Sequence, residues 1–193
     1  MHESQAPGKS RASVFDVAEY ILEKMGPMSA MKLQKLVYYC QAWSLVWDDR
    51  PLFPERIEAW REGPVVPALF ERHRGAYLVQ AGDVGGRPRA MDEAAKDTVD
   101  TVLDAYGGMS GDELSRRTHA EGLWRETWGR RASEARGVDV ITAQVMRAFY
   151  ASLLPSPLGG SRRFYLRALL QRVRPENRHE AVSTGRPVGR EVW

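Results

Sequence analysis

Between Met31 and Trp47 the apolar residues fall at helical spacing. Leu33, Leu36, Val37, Cys40 and Trp43 share one face, and Tyr38, Tyr39, Leu45, Val46 and Trp47 carry apolar character round the other side. A helix apolar over most of its circumference has neighbours on several sides. This stretch is therefore predicted to be the central buried helix of a domain. Ser29 supplies an N-cap, and the run from Asp48 to Pro51 a stop. Lys32, Gln34, Lys35 and Gln41 make the stretch too polar to span a membrane. The two lysines are expected at a water-facing edge, with their stems along apolar neighbours; the competing reading is contact with phosphate or nucleic acid.

Other patterns place further elements around this helix. Ser13 and Asp16 have capping-box spacing, and Val14, Val17, Ala18, Ile21, Leu22 and Met25 trace an amphipathic stripe that ends at Gly26 and Pro27. Pro51, Pro54 and Pro64 forbid a long helix in the next segment. Ile57 to Trp60 reads as a short strand, Gly63 and Pro64 as a turn, and Pro67 to Arg74 as a short helix. Tyr77 to Val79 reads as another strand, before a loop containing Gly82, Gly85 and Gly86. Asp92 caps a helix with Ala95, Val99, Val102, Leu103 and Tyr106 on one face, closed by Gly107 and Gly108. Ser110 and Glu113 form a second capping box. Leu123, Trp124 and Trp128 make a short apolar segment. Asp139 is expected to open the last helix of the body, with Ile141, Val145, Ala148, Phe149 and Leu153 facing inward.

Residues 155–160 contain two prolines and two glycines and mark a domain boundary. Beyond it, Phe164, Tyr165, Ala168, Leu169 and Val173 predict one more helix with arginines on its outer side. After Pro175 neither the 3.6-residue nor the 2-residue period is present. Such a segment cannot offset its own ordering entropy without a partner's surface. The expectation is a mainly α fold with minor β structure: a mobile N-terminus (1–12), a compact helical domain around a central buried helix with a small β element (13–154), a linker (155–160), and a C-terminal helix with an extended tail (161–193).

Composition alters this picture at one end. The chain of 193 residues is 43% hydrophobic and 27% charged, ordinary for a globular protein with a sizeable core. Net charge is +3. Residues 161–193 hold eight arginines and three glutamates, a net of +5, which leaves −2 for residues 1–160. The basic character is thus C-terminal, and a nucleic-acid-binding face across the main domain is not supported. The single cysteine, Cys40, lies on the apolar face of the central helix and reads as a small buried hydrophobe, in keeping with a cytoplasmic location. The first residues lack the apolar core of a secretory signal.

Catalytic chemistry finds no foothold. His2, His73, His119 and His179 make no zinc spacing, and one cysteine anchors no metal site. Phosphate-binding and dinucleotide-binding glycine loops are absent. Asp48 and Asp49 sit in a solvated turn beside Arg50, and no local base activates Cys40 or a serine. His119 near Trp124 reads as a hydrogen-bonded structural histidine against an indole, in preference to a ligand pocket. No enzyme activity, metal or cofactor is expected.

Three blocks nonetheless form a recognisable set: residues 31–40, 58–66, and 110–119 with Trp124. They resemble the Panacea domain, the SocA-like antitoxin family of bacteria and phages, over about Val14 to Leu153. The signature residues are Leu33, Lys35, Leu36 and Tyr38 in the first block, Trp60, Gly63, Pro64 and Val65 in the second, and Ser110, Leu114, His119 and Trp124 in the third. Leu123 departs from the proline the family often has there. The resemblance implies a mostly helical fold and neutralisation of a nearby-encoded toxin by direct protein contact, with no one catalytic reaction.

The C-terminal residues resemble the toxin-binding peptide of MazE-type antitoxins. Pro175, Glu176 and Asn177 form one matching step, followed by His179, Glu180 and Gly185 and by the terminal Glu191, Val192 and Trp193. Ser183 and Thr184 replace an acidic residue and a tryptophan, and Arg178 and Arg186 make the tail less acidic than usual. The resemblance implies a MazF-like mRNA endoribonuclease as partner, its RNA surface covered by the tail. Val173, Val182 and Val188 would be buried with Val192 and Trp193, and the three glutamates would meet basic groups. Two alternatives remain at this stage: a nucleic-acid-binding autoregulator of its operon, and an adaptor delivering the toxin to a protease. No membrane partner is expected.

Overall fold

The computed structural model describes residues 12–124, 140–154 and Leu166. Within them the chain runs through α1 (Val14–Met25), β1 (Met28–Ser29), α2 (Ala30–Trp47), β2 (Glu58–Trp60), β3 (Gly63–Val65), α3 (Pro67–His73) and β4 (Leu78–Val79). It continues through α4 (Glu93–Tyr106), α5 (Gly111–Ala120) and α6 (Ala143–Ser152). The result is mainly α, with β1 paired to β4 and β2 to β3, both antiparallel. Ser13 and Ser110 close complete capping boxes, and Ser29 and Asp92 cap α2 and α4.

The helix α2 is the axis of the molecule. It packs on α1, α3, α4, α5 and α6 and on strands β1, β3 and β4. Its tyrosines are fully enclosed: Tyr39 stacks on Tyr106 at 4.2 Å between ring centroids, and Tyr38, Tyr39 and Trp43 meet the edge or face of Tyr150. Cys40 is buried and free. Ala12 is already part of the core.

Three expectations are corrected. Gly63 and Pro64 are strand residues paired with Trp60 and Ala59, and the turn falls on Arg61 and Glu62. Glycine at φ 103° takes a backbone closed to other residues, and so enters a strand that the Gly-Pro signal reads as a turn. Lys35 does not meet water at all, for a reason given below. In α6 the inward residues are Met146 and Tyr150, while Ala148 is exposed and Val145 is 38% exposed. The Ile141 amide donates to the Ile57 carbonyl at 2.8 Å and Val140 bridges to Glu58. Extended chain therefore persists through Ile141, Thr142 caps the helix, and Ile141 no longer sets its phase. Asp139, Trp128, residues 155–160 and the tail lie outside the described residues.

Candidate functional site

The segment from Arg50 to Val66 is largely irregular, so its backbone groups need partners from elsewhere. The polar residues of α2 supply them. Ser44 Oγ donates to the Arg50 carbonyl at 3.0 Å. The Gln41 amide accepts from the Leu52 and Phe53 amides and donates to the Phe53 carbonyl. Gln34 does the same at Val66, accepting from its amide at 2.9 Å and donating to its carbonyl at 3.4 Å. Its side chain also meets His73 Nε2 at 3.0 Å. Burial holds the His73 imidazole below its usual pKa.

The same kind of backbone clasp continues at the β2–β3 hairpin. Lys35 Nζ donates to the Pro64 carbonyl at 3.1 Å. Ser115 Oγ, from α5, donates to the Glu62 carbonyl at 2.9 Å, and Trp124 Nε1 to the Trp60 carbonyl at 2.9 Å. The His119 ring bonds to the Arg61 backbone and lies against Trp124, 4.1 Å between centroids. The hairpin carbonyls of Trp60, Glu62 and Pro64 thus receive three side-chain donors drawn from α2, α5 and the residues just after α5. A methyl group on Gly63 would lie 2.7 Å from Thr118 Oγ1 and 3.0 Å from Lys35 Nζ. Only a residue without a side chain lets the hairpin approach this closely.

The electrostatics follow from burial. Desolvation pulls the Lys35 ammonium down to about 7, with Glu62 opposing the shift. Burial lowers His119 as well, and the neighbouring Lys35 charge adds to the effect. A second polar cluster lies behind the first. Glu121 accepts from Tyr39 at 3.1 Å and from Tyr150 at 2.5 Å, and the Tyr38 and Tyr150 hydroxyls are 3.1 Å apart. Burial raises the Glu121 pKa against the opposing effects of Tyr150, Arg117 and Tyr39. These contacts tie α6 to α2 and α5.

The twelve signature residues all lie in described chain, and the hairpin clasp draws Lys35, Trp60, Gly63, Pro64, His119 and Trp124 into one place. Leu33, Leu36, Val65 and Leu114 are core residues, Tyr38 belongs to the tyrosine cluster, and Ser110 is the cap of α5. What the arrangement does chemically is satisfy backbone and fix a hairpin. Ser115 and Gln34 are functional parts of the clasp that the sequence reading missed, because a buried side chain bonded to distant backbone leaves no local signal. Among the described residues no group of three metal-ligating side chains comes together, and no helix is long and apolar enough to cross a membrane.

Residues 33–125 match the family model of the antitoxin SocA-like Panacea domain. The Panacea match starts in the first turns of α2 and ends just after Trp124, so it encloses the whole clasp. Antitoxin SocA of Caulobacter vibrioides (strain NA1000 / CB15N) is 30% identical over 123 residues, 55% of this chain and 64% of that protein. The chain therefore spans a little under two thirds of that relative's length. No solved structure matches to a significant level. The helix α6 and the residues read as toxin-binding, Val173 to Trp193, fall beyond the Panacea match, and those C-terminal residues also lie outside the described chain.

Proposed function

We propose that this protein is a SocA-like antitoxin that neutralises a toxin protein by direct contact, without catalysis. The observation that carries the reading is the Panacea match over residues 33–125, which encloses the clasp. The partner we assign is a MazF-like mRNA endoribonuclease, gripped by residues 173–193 across its RNA-binding surface. The resemblance of Pro175 to Asn177 and of the terminal Glu191, Val192 and Trp193 to MazE-type peptides supports that assignment. A segment that orders on binding loses roughly 2–5 kcal/mol to the ordering. Burial of the valines and Trp193 offsets this, and Glu176, Glu180 and Glu191 occupy positions that otherwise hold phosphates. Inhibition is then steric and electrostatic.

Co-expression with the neighbouring toxin tests the reading. The full chain restores growth, and a chain shortened to residue 173 does not; equal protection by both removes the tail as the inhibitory element. A second reading, a nucleic-acid-binding autoregulator, rests on the +5 charge of residues 161–193. Binding to upstream DNA that weakens steeply with salt would favour it.

A further inference from the structure

Beyond the Panacea match, one residue far along the chain closes the core. Leu166 has 0% solvent exposure and belongs to the same hydrophobic cluster as Ile141, Met146 and Tyr150. The chain leaves α6 through Leu153 and Leu154, which pack half-buried against that cluster. It is back in the cluster 12 positions later. Closure entropy grows only with the logarithm of loop length, so this excursion is cheap. A seat joined to its occupant by so short a link meets it at an effective concentration in the millimolar range, by analogy with short tethers. Burial of a whole leucine side chain supplies a large part of what filling the seat at that concentration requires.

We propose that the body carries an apolar seat for the C-terminal segment of its own chain, filled by Leu166. The domain expected to end before residue 155 then extends to this anchor. The sequence supports the same occupant: Leu169, Leu170 and Val173 follow Leu166 at +3, +4 and +7, the spacing of one helical face. A partner that grips the last 20 or so positions is thereby held near the body, since 27 residues remain beyond the anchor. The inference goes beyond the antitoxin reading and does not depend on it.

Thiol labelling of the full chain reads the seat directly. In a Cys40→Ala background, Leu166→Cys should react with a disulfide reagent about 100-fold or more slowly than Ser183→Cys, the ratio set by opening of the seat. The two should react alike in urea. Equal rates in native buffer would overturn the proposal. In a second measurement, on the chain with Cys40 intact, Leu166→Ala should lower Tm by about 5–15 °C and speed labelling of the buried Cys40. Ser183→Ala should change neither. An unmoved midpoint with unmoved Cys40 labelling also overturns the seat, and if Leu166→Ala does not fold, the labelling ratio decides.

Discussion

The Lys35 ammonium donates to the Pro64 carbonyl at 3.1 Å from a position with no solvent contact. A lysine buried this completely titrates well below its ordinary value, since its charged form has lost its water. Burial brings the folded value to about 7 from an ordinary 10.5. Between these values the unfolded chain binds the extra proton, so stability rises with pH. The expected slope approaches about 1.4 kcal/mol per pH unit above pH 8. Urea unfolding at pH 7, 8 and 9 measures it. The Lys35→Met variant keeps the volume and removes the titration, so its stability should be flat over the same window.

Gly63 is held from two sides at once. Its φ of 103° disfavours any side chain, and the missing Cβ position is 2.7 Å from Thr118 Oγ1. Gly63→Ala should therefore cost about 2–4 kcal/mol, the sum of backbone strain and overlap. Thr118→Ala removes the nearer obstacle and leaves the strain. The double variant should thus recover part of the loss, read as a non-additive cycle in denaturant unfolding. Strict additivity would mean that the hairpin shifts away and the close approach is not what holds the glycine.

Tyr150 secures α6 through a carboxylate it shares with Tyr39. Tyr150→Phe leaves the aromatic packing and removes one donor from a buried charge, for an expected cost of about 1–3 kcal/mol at pH 7. The sign with pH is opposite to that of Lys35. Burial raises the folded Glu121 pKa, so its contribution is fully present below the unfolded value of about 4.5 and lost as pH rises through the folded one. Removing the Tyr150 hydroxyl, which favours the carboxylate, pushes that pKa further up. The variant should accordingly lose less stability at pH 4.5 than at pH 7, and a cost independent of pH would detach Tyr150 from Glu121.

Local chemistry was readable from the sequence, and long-range chemistry was not. The caps at Ser13, Ser29, Asp92 and Ser110 bond within three residues, and each is where the pattern placed it. The burial of α2 was visible in its apolar circumference. Lys35 was misread because its partner carbonyl is 29 residues away; on the sequence alone a lysine beside apolar residues belongs at an edge. The clasp as a site was invisible for the same reason. Strand β3 was hidden by Gly63 and Pro64, whose turn preference yields to the side-chain donors around the hairpin. Met146 and Tyr150 in α6 were displaced from the expected stripe by the extended arm at Val140 and Ile141. Leu166 was not among the residues that the 3.6-residue pattern picked out, and its core partners lie far from it along the chain.

The tail offers the sharpest separation between binding and folding. If residues 173–193 grip the toxin and the body ends its core at Leu166, then changes near the C-terminus should alter affinity without altering stability. Trp193 is the largest apolar group in that stretch, and a buried aromatic anchor contributes about 2 kcal/mol or more to an interface. Trp193→Ala should therefore raise Kd for the toxin about 30-fold with Tm unchanged, measured by titration calorimetry and thermal unfolding on the same preparation. Gly63→Ala should do the reverse, lowering Tm far more than it weakens toxin binding at a temperature where the body stays folded. If Trp193→Ala leaves Kd untouched while a body variant of intact stability raises it, the toxin is held by the body, and the C-terminal residues serve some other end.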